Sequence, residues 1–423
     1  MDDILLLAHR IPYPPDKGDK IRSYHLLRRL TREFRVHLGA FIDDRSDRAY
    51  ADDVRALCAD TCLVELTPWR SRLLSARGLL SGEALTLPYY RHRRLRVWVR
   101  QVLDRCKPKA VVCYSGAMAQ YLPEAGAGPR RIVDFVDVDS DKWRQYSETR
   151  HGPMRWLYRR EARTLLSYER AVAAAADAGI FVSSNEVALF QRLAPETRSR
   201  LVAIENGVDT DYFDPQRNYP NPYPNAGPVL VFTGAMDYWA NIDAVTWFAQ
   251  EIFPALRQRV PTACFAIVGA RPDAQVQGLA QLPGVLVTGT VSDVRPYLAH
   301  AQLAVAPLRI ARGIQNKVLE ALAMGRPLLV TPAALAGIEL GAAVRVWRGA
   351  TAAEMIEAAA TALASTSVME DGRRARDWVV ARYGWEAKLD CYVRLVRDAS
   401  PAAVALPGAA ASGLVDVVGG MHD

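Results

Sequence analysis

Between Pro307 and Pro327 the chain reads Pro-Leu-Arg-Ile-Ala-Arg-Gly-Ile-Gln-Asn-Lys-Val-Leu-Glu-Ala-Leu-Ala-Met-Gly-Arg-Pro. Three cations, Arg309, Arg312 and Lys317, flank a glycine, Gly313, and one carboxylate, Glu320, follows. Fixed cations beside a glycine turn suit an anion, because a turn without a Cβ lets backbone N–H groups approach it closely. Such a turn suits a nucleoside diphosphate.

The elements that must position these residues follow from the flanking pattern. Leu303 to Leu308 is a continuous apolar run and reads as a buried strand. Arg312 and Gly313 make the turn. A helix pattern runs from about Ile314 to Met324, and Gly325 with Pro327 stops it. Leu328 to Thr331 reads as the next strand. With ~3.6 residues per turn, Val318, Leu319 and Leu322 share one face, and Lys317, Glu320 and Met324 share the opposite one. The apolar face packs on a sheet, so the second face looks outward beside the turn. That face reads either as a donor-binding surface or as a solvated helix with an i,i+3 ion pair.

Similar junctions recur. Ile4 to Ala8 reads as a first strand, Pro12 to Lys20 as a loop and Lys20 to Arg32 as a helix. Gly18, Lys20 and Arg22 lie at that junction, which reads as a phosphate-competent loop or an ordinary βα connection. Arg131 to Val138 reads as a strand whose end carries Asp137 and Asp139, where open α/β sheets bind ligands; the competing reading is a helix N-cap cluster. Val229 to Thr233 is a strand that runs into a loop opened by Gly234.

The stretch Glu320-Ala-Leu-Ala-Met-Gly-Arg-Pro327 resembles the donor-site motif of family 4 retaining glycosyltransferases, which have the GT-B fold. In that family a Glu-x7-Glu motif ends in Glu-Ala-Met-Ala-x-Gly-x-Pro. Here the first Glu position is Arg312, which puts a fixed cation where the diphosphate lies. Asn206-Gly-Val-Asp209 resembles the family's segment leading into the interdomain crossing. The segments 12–18 and 312–317 resemble the branch of sugar transferases that accompanies PEP-CTERM/exosortase exopolysaccharide loci. The resemblance implies Glu320 on the ribose hydroxyls and a donor site of Gly234, Arg309, Gly313, Ile314, Lys317 and Glu320. It also implies an acceptor and phosphate loop at Gly18, Lys20 and Arg22, and no metal or resident cofactor; the expected catalytic set is Lys317 with Arg312 and Asp137, the last two standing where the family has a Glu and often a His. The loop at Gly234, where family members carry Arg and Lys, has neither, so the diphosphate falls to Arg309, Arg312 and Lys317.

Composition is compatible with that reading. The chain has 423 residues, half of them apolar and 23% charged, which suits two cored domains. The six cysteines form no CxxC pair and no disulfide-like array, and no run is long and apolar enough to span a bilayer. The N-terminus lacks the pattern of a signal peptide, so a cytoplasmic location is expected. Residues 1–200 carry 35 Lys/Arg against 25 Asp/Glu, and the remainder 18 against 21. The basic half favours an anionic partner. Residues 68–109 interleave Arg with Leu, Tyr and Trp, which reads either as a peripheral contact with the inner face of an anionic membrane or as a solvated Arg face. No GxGxxG, Walker A or nucleic-acid reader motif occurs.

The expected architecture is α/β: two Rossmann-like, doubly wound domains facing across a cleft, the GT-B arrangement. Residues 1–213 form the acceptor-side domain, 214–228 a Pro- and Asn-rich linker, and 229–384 the nucleotide-sugar domain. A helix over 385–398 crosses back, and 399–423 is a disordered Ala/Gly-rich tail. The expected activity is transfer of a sugar from a nucleotide-diphosphate sugar to a glycan or lipid-linked acceptor, in exopolysaccharide or surface-glycan synthesis. The alternatives are a sugar-nucleotide epimerase on the same fold and a nucleotide-sugar-binding protein with weakened turnover.

Overall fold

In the computed structural model, two parallel sheets carry the chain. The structure describes residues 1–15, 18–67, 69, 75, 78–79, 81–124, 126, 128–148, 151–224, 226–311, 314–342, 344–397 and 400–404. Two compact units result: Met1–Glu205 with Leu389–Asp423, and Asn206–Lys388. The second boundary falls inside a helix, so Leu389 onward belongs to the first unit.

The first unit is built on seven strands: β1 (Asp3–Ala8), β2 (Arg35–Ile42), β3 (Asp60–Glu65), β4 (Ala110–Tyr114), β5 (Arg130–Val136), β6 (Ala178–Phe181) and β7 (Leu201–Ala203). Their order is β3-β2-β1-β4-β5-β6-β7, and every pair is parallel. The β1 residues Ile4 to Ala8 are buried, as a strand covered on both faces requires. Helices α1 (Gly18–Thr31), α2 (Arg93–Cys106), α3 (Asp139–Glu148), α4 (Gly152–Ala175) and α5 (Ser184–Leu193) supply most of the cover. In α2, Leu95, Val99 and Val102 are buried while Arg93, Arg94, Arg96 and Arg100 are exposed.

The second unit holds six parallel strands: β8 (Val229–Thr233), β9 (Cys264–Val268), β10 (Val285–Val287), β11 (Leu303–Ala306), β12 (Leu328–Val330) and β13 (Trp347–Arg348). The order is β10-β9-β8-β11-β12-β13. Strand order therefore reverses direction at β8 and β11, the crevice where doubly wound sheets receive ligands. Helix α6 (Trp239–Trp247) follows β8, and α7 (Asn316–Ala323) follows β11. Helices α8 (Ala352–Ala364), α9 (Val368–Tyr383) and α10 (Trp385–Val396) complete the chain's larger elements.

Helix α7 sits where its sequence requires. Val318, Leu319 and Leu322 are buried in the core, each contributing about 1.5–3 kcal/mol. Met324, expected on the outward face, is also fully buried. It is the residue after the last helical turn, and the left-handed Gly325 that follows (φ 61°) turns the chain back. Arg376 on α9 donates to the carbonyls of Ala323 and Phe213 and fixes that end of the helix.

The tail departs from expectation at 401–404. Pro401–Val404 is a short helix with Pro401 and Val404 buried, packed on β7 and the turn before it, because Val404 offers apolar surface to a covered strand. The rest of the disorder expectation, over 405–423, lies outside the described residues.

Candidate donor site

The site is built at the point where β8 and β11 part. Gly234 continues β8, and its amide donates to Val268 O at 3.1 Å. A Cβ on Gly269 would stand 1.7 Å from Gly234 O, so the loop after β9 closes on Gly234 only because position 269 is glycine. A Cβ on Gly234 itself would stand 2.9 Å from Asn241 Nδ2 and 3.4 Å from Lys317 Nζ. The space above Gly234 is thus bordered by an amide and an ammonium.

Lys317 reaches across from α7. Its Nζ donates to Asn241 Oδ1 and lies 4.5 Å from the centroid of the Phe232 ring. Asn241 is buried and held in turn, since its Nδ2 donates to Ala235 O at 2.8 Å. Burial pushes the Lys317 ammonium down to about 8, against the pull of Glu320. Burial likewise pushes the Glu320 carboxyl up to about 7, with Lys317 opposing. Among the described residues no salt bridge joins the two, and no hydrogen bond reaches the Glu320 carboxylate. Both side chains are thus partly buried, and burial disfavours each charge more than the attraction of the other restores it. Gln315 gives the first turn of α7 no side-chain cap, while Val318 N donates to Gln315 O at 3.0 Å.

The other expected residues divide. Arg309 is paired with Asp243, with Nε 3.0 Å from Oδ2, and lies 5.5 Å over the Trp247 ring. Ile314 is partly buried against the core beside Gly337. Arg312 and Gly313 lie outside the described residues. The structure therefore brings Lys317 to Gly234, with Glu320 near Lys317 one turn along α7. It adds Asn241 and Gly269, which sequence reasoning missed. Asn241 stands in the first turn of α6, just after the loop noted for lacking Arg and Lys; its only sequence signal was its place after β8.

The first unit disposes of its candidates differently. Gly18 opens α1. Lys20 is buried, and its Nζ donates to Asp47 Oδ1 at 2.7 Å. Arg22 is buried too, donating from Nε to Asp134 Oδ2 at 2.9 Å and from Nη2 to Tyr392 Oη at 2.9 Å. Tyr392 Oη also donates to Asp134. Burial alone would lower the Arg22 pKa, but Asp134 and Tyr392 hold it above the usual range. Helical spacing fits both inward turns: Lys20 shares a buried face of α1 with Ser23 and Leu27, and Arg22 shares another with Leu26 and Leu30. Asp137 bonds Lys142 Nζ at 2.7 Å, and Asp139 bonds the same atom at 3.1 Å.

A second group missed in the sequence lies at the end of β1. His9 Nε2 is 3.3 Å from Asp19 Oδ2, and Arg10 spans Asp19 at 2.8 Å and Asp43 at 2.7 Å. Despite burial, His9 and Arg10 hold the Asp19 carboxyl well below the usual range. The His9 ring stacks on Tyr114, 5.7 Å between centroids, at the end of the neighbouring strand β4. Strand order reverses here as well, between β1 and β4.

Residues 227–365 match the family described as Glycosyl transferases group 1. No curated protein matches the chain. Among solved structures it resembles sucrose-phosphate synthase from Thermosynechococcus elongatus, with 17% identity and a TM-score of 0.62 over 94% of this chain and 98% of that one. Anabaena Alr3699/HepE in complex with UDP and glucose aligns at 13% identity and TM-score 0.60 over 93% of this chain and 99% of that one. WaaG, a glycosyltransferase involved in lipopolysaccharide biosynthesis, aligns at 15% identity and TM-score 0.61 over 94% and 100%. The fold is the GT-B type expected from the sequence, with two Rossmann-like units.

Proposed function

We propose that the protein is a glycosyltransferase that moves a sugar from a nucleotide-diphosphate sugar to an acceptor, retaining anomeric configuration. The observation that carries this reading is the placement of Lys317 beside Gly234 at the switch point of the second sheet, with Glu320 one turn further along α7 and both side chains partly withdrawn from water. Lys317 meets the leaving diphosphate. Glu320 accepts from the ribose hydroxyls. Gly234 leaves room for the phosphates. The positive charge the leaving group needs is assigned to Lys317, without a metal.

The group 1 match over 227–365 covers this site and supports the assignment. Retention is supported by the resemblance of Glu320 to Pro327 to the family 4 motif. An exopolysaccharide or surface-glycan acceptor is supported by the resemblance of segments 12–18 and 312–317 to one branch of that family. A peripheral place at the inner membrane face is supported by the exposed Arg93, Arg94, Arg96 and Arg100 of α2. No helix of the described residues is long and apolar enough to cross a membrane.

The test is thermal-shift and calorimetric screening against UDP, GDP, ADP and TDP sugars, followed by product analysis. A ligand that binds only the folded state at about a hundredfold its Kd adds ~2.7 kcal/mol of stability. Glycoside product from one donor supports the reading. An isomerised sugar nucleotide formed without acceptor makes the protein an epimerase, and binding without turnover makes it a sugar-nucleotide binder.

A further inference from the structure

A cavity of about 320 Å³ lies in the first unit, among α3, α4 and the short helix Thr86–Tyr89. Leu85, Tyr89, Tyr90, Trp143, Leu157 and Tyr158 line it. That volume is at the lower end of the range for ligand cavities. The charged group in its wall, Glu161, is spent: its carboxylate accepts from Leu85 N at 2.6 Å, Thr86 N at 3.0 Å and Thr86 Oγ1 at 2.8 Å. The walls therefore offer aromatic faces and aliphatic carbon, with no spare carboxylate to hold a sugar's hydroxyls.

The cavity has two informative ends. Tyr90 stands between it and the His9 group, with the His9 and Tyr90 ring centroids 5.9 Å apart, edge to face. One end thus borders the C-terminal edge of β1 and β4. At the other, the first turn of α4 leaves Met154 44% and Trp156 62% exposed, adjacent in sequence to the lining residues Leu157 and Tyr158. Arg155 and Arg159 flank them and are exposed too. Apolar side chains left in water beside cations are the composition of a surface that meets lipid.

We propose that this cavity takes the hydrocarbon chain of an amphiphilic acceptor, with its hydroxyl-bearing head directed to the edge where His9, Arg10 and Asp19 cluster. The word acceptor rests on the reading of the protein as a glycosyltransferase; the binding of a chain does not. An alkyl chain suits the cavity because its lining is mainly aromatic and aliphatic, so burial of methylene groups is the largest favourable term.

The test is titration of the full chain with n-decyl β-glucoside below its micelle concentration, read by calorimetry and by the fluorescence difference between parent and Trp143→Phe. The expected result is saturable binding, roughly tenfold tighter for decyl than for octyl glucoside, since the two additional buried methylenes together contribute on that scale. Glucose does not compete. Leu157→Trp, which fills the cavity, weakens decyl glucoside binding at least tenfold without lowering Tm; if that variant does not fold, Leu85→Phe serves the same purpose. Equal affinity for octyl and decyl chains, tighter binding of phenyl β-glucoside, no saturation, or parent-like binding by the filled variant each overturns the proposal. Lys317→Ala retains decyl glucoside binding in either case. Failure of all nucleotide sugars to bind therefore removes the proposed function and leaves the titration to decide the cavity.

Discussion

The two sheets present similar sequence material at their strand–loop–helix junctions and use it in opposite ways. In the first unit Lys20 and Arg22 follow a glycine at a helix start, as Lys317 follows one in the second. Yet Lys20 and Arg22 turn inward and close buried pairs with Asp47 and with Asp134 and Tyr392. Lys317 stays at the switch point with Glu320 one turn along α7, and among the described residues no salt bridge joins them. A buried charge with a complete set of partners holds structure together; one left incomplete is held ready for a ligand. Residue type and spacing did not separate the two cases. What separates them is whether carboxylates on other elements, 27 and 112 positions away in sequence, arrive to neutralise the cation.

Breaking each side of this contrast should give opposite signatures. The largest effect on stability is expected from Asp134→Ala, which strands Arg22 without its carboxylate. Removing one partner of a buried pair costs roughly 3–5 kcal/mol, so chemical denaturation should show a loss of that order. Donor binding by the folded fraction should not change. A denaturation midpoint equal to the parent's would mean the pair is not structural.

Lys317→Ala should do the reverse. It leaves buried Asn241 Oδ1 without its donor but also removes an ammonium that burial disfavours, so the loss of stability should stay well below the roughly 3–5 kcal/mol of Asp134→Ala. Loss of the cation facing the leaving diphosphate should lower kcat on the order of 10²-fold or more. Lys317→Arg should restore only part of it, because a planar fork does not replace a point charge. Single-turnover transfer beside a thermal melt checks both halves.

The pH dependence sharpens the contrast further. Donor binding needs Glu320 ionised and Lys317 protonated. Glu320 near 7 loses its charge as pH falls, and Lys317 near 8 loses its charge as pH rises. Affinity should peak between about pH 7 and 8 and fall about tenfold per unit outside that window. Calorimetry from pH 5.5 to 9.5 reads it directly, and a flat profile would detach these groups from the nucleotide.

How much of this was legible in the sequence follows from what each element depends on. Strands β1, β2, β4, β8 and β11 are buried on both faces, so their apolar runs announce them. Strand β3 is an edge strand with only Cys62 and Val64 buried, and its Asp60, Thr61 and Glu65 hide it. Helix α7 was legible from Val318, Leu319 and Leu322, and its motif pointed to Glu320. Asn241, Gly269 and the His9–Asp19 contact were not, because each gains meaning only from a neighbour on another strand. The direction of Lys20 and Arg22 was hidden for the same reason. The basic stretch over 68–109 was partly legible. In α2 its Arg face is exposed, while residues 68, 70–74, 76–77 and 80 lie outside the described residues.

A smaller effect is expected from Glu320→Gln. The folded state holds this carboxyl above its ordinary range, so ionising it opposes folding. At pH 8 the amide variant should melt at or slightly above the parent while binding nucleotide sugar more weakly. Charge-assisted bonds to the ribose are worth ~1.5–3 kcal/mol.

The account stands or falls on where the nucleotide sugar binds. Calorimetric titration of the parent, Glu320→Ala and Lys317→Ala with the donor identified by screening decides it most directly. Saturable binding by the parent, weakened at least tenfold in both variants while each remains folded at the assay temperature, is the predicted result. Parent-like affinity in both variants would contradict the placement of the donor site at the β8–β11 switch point.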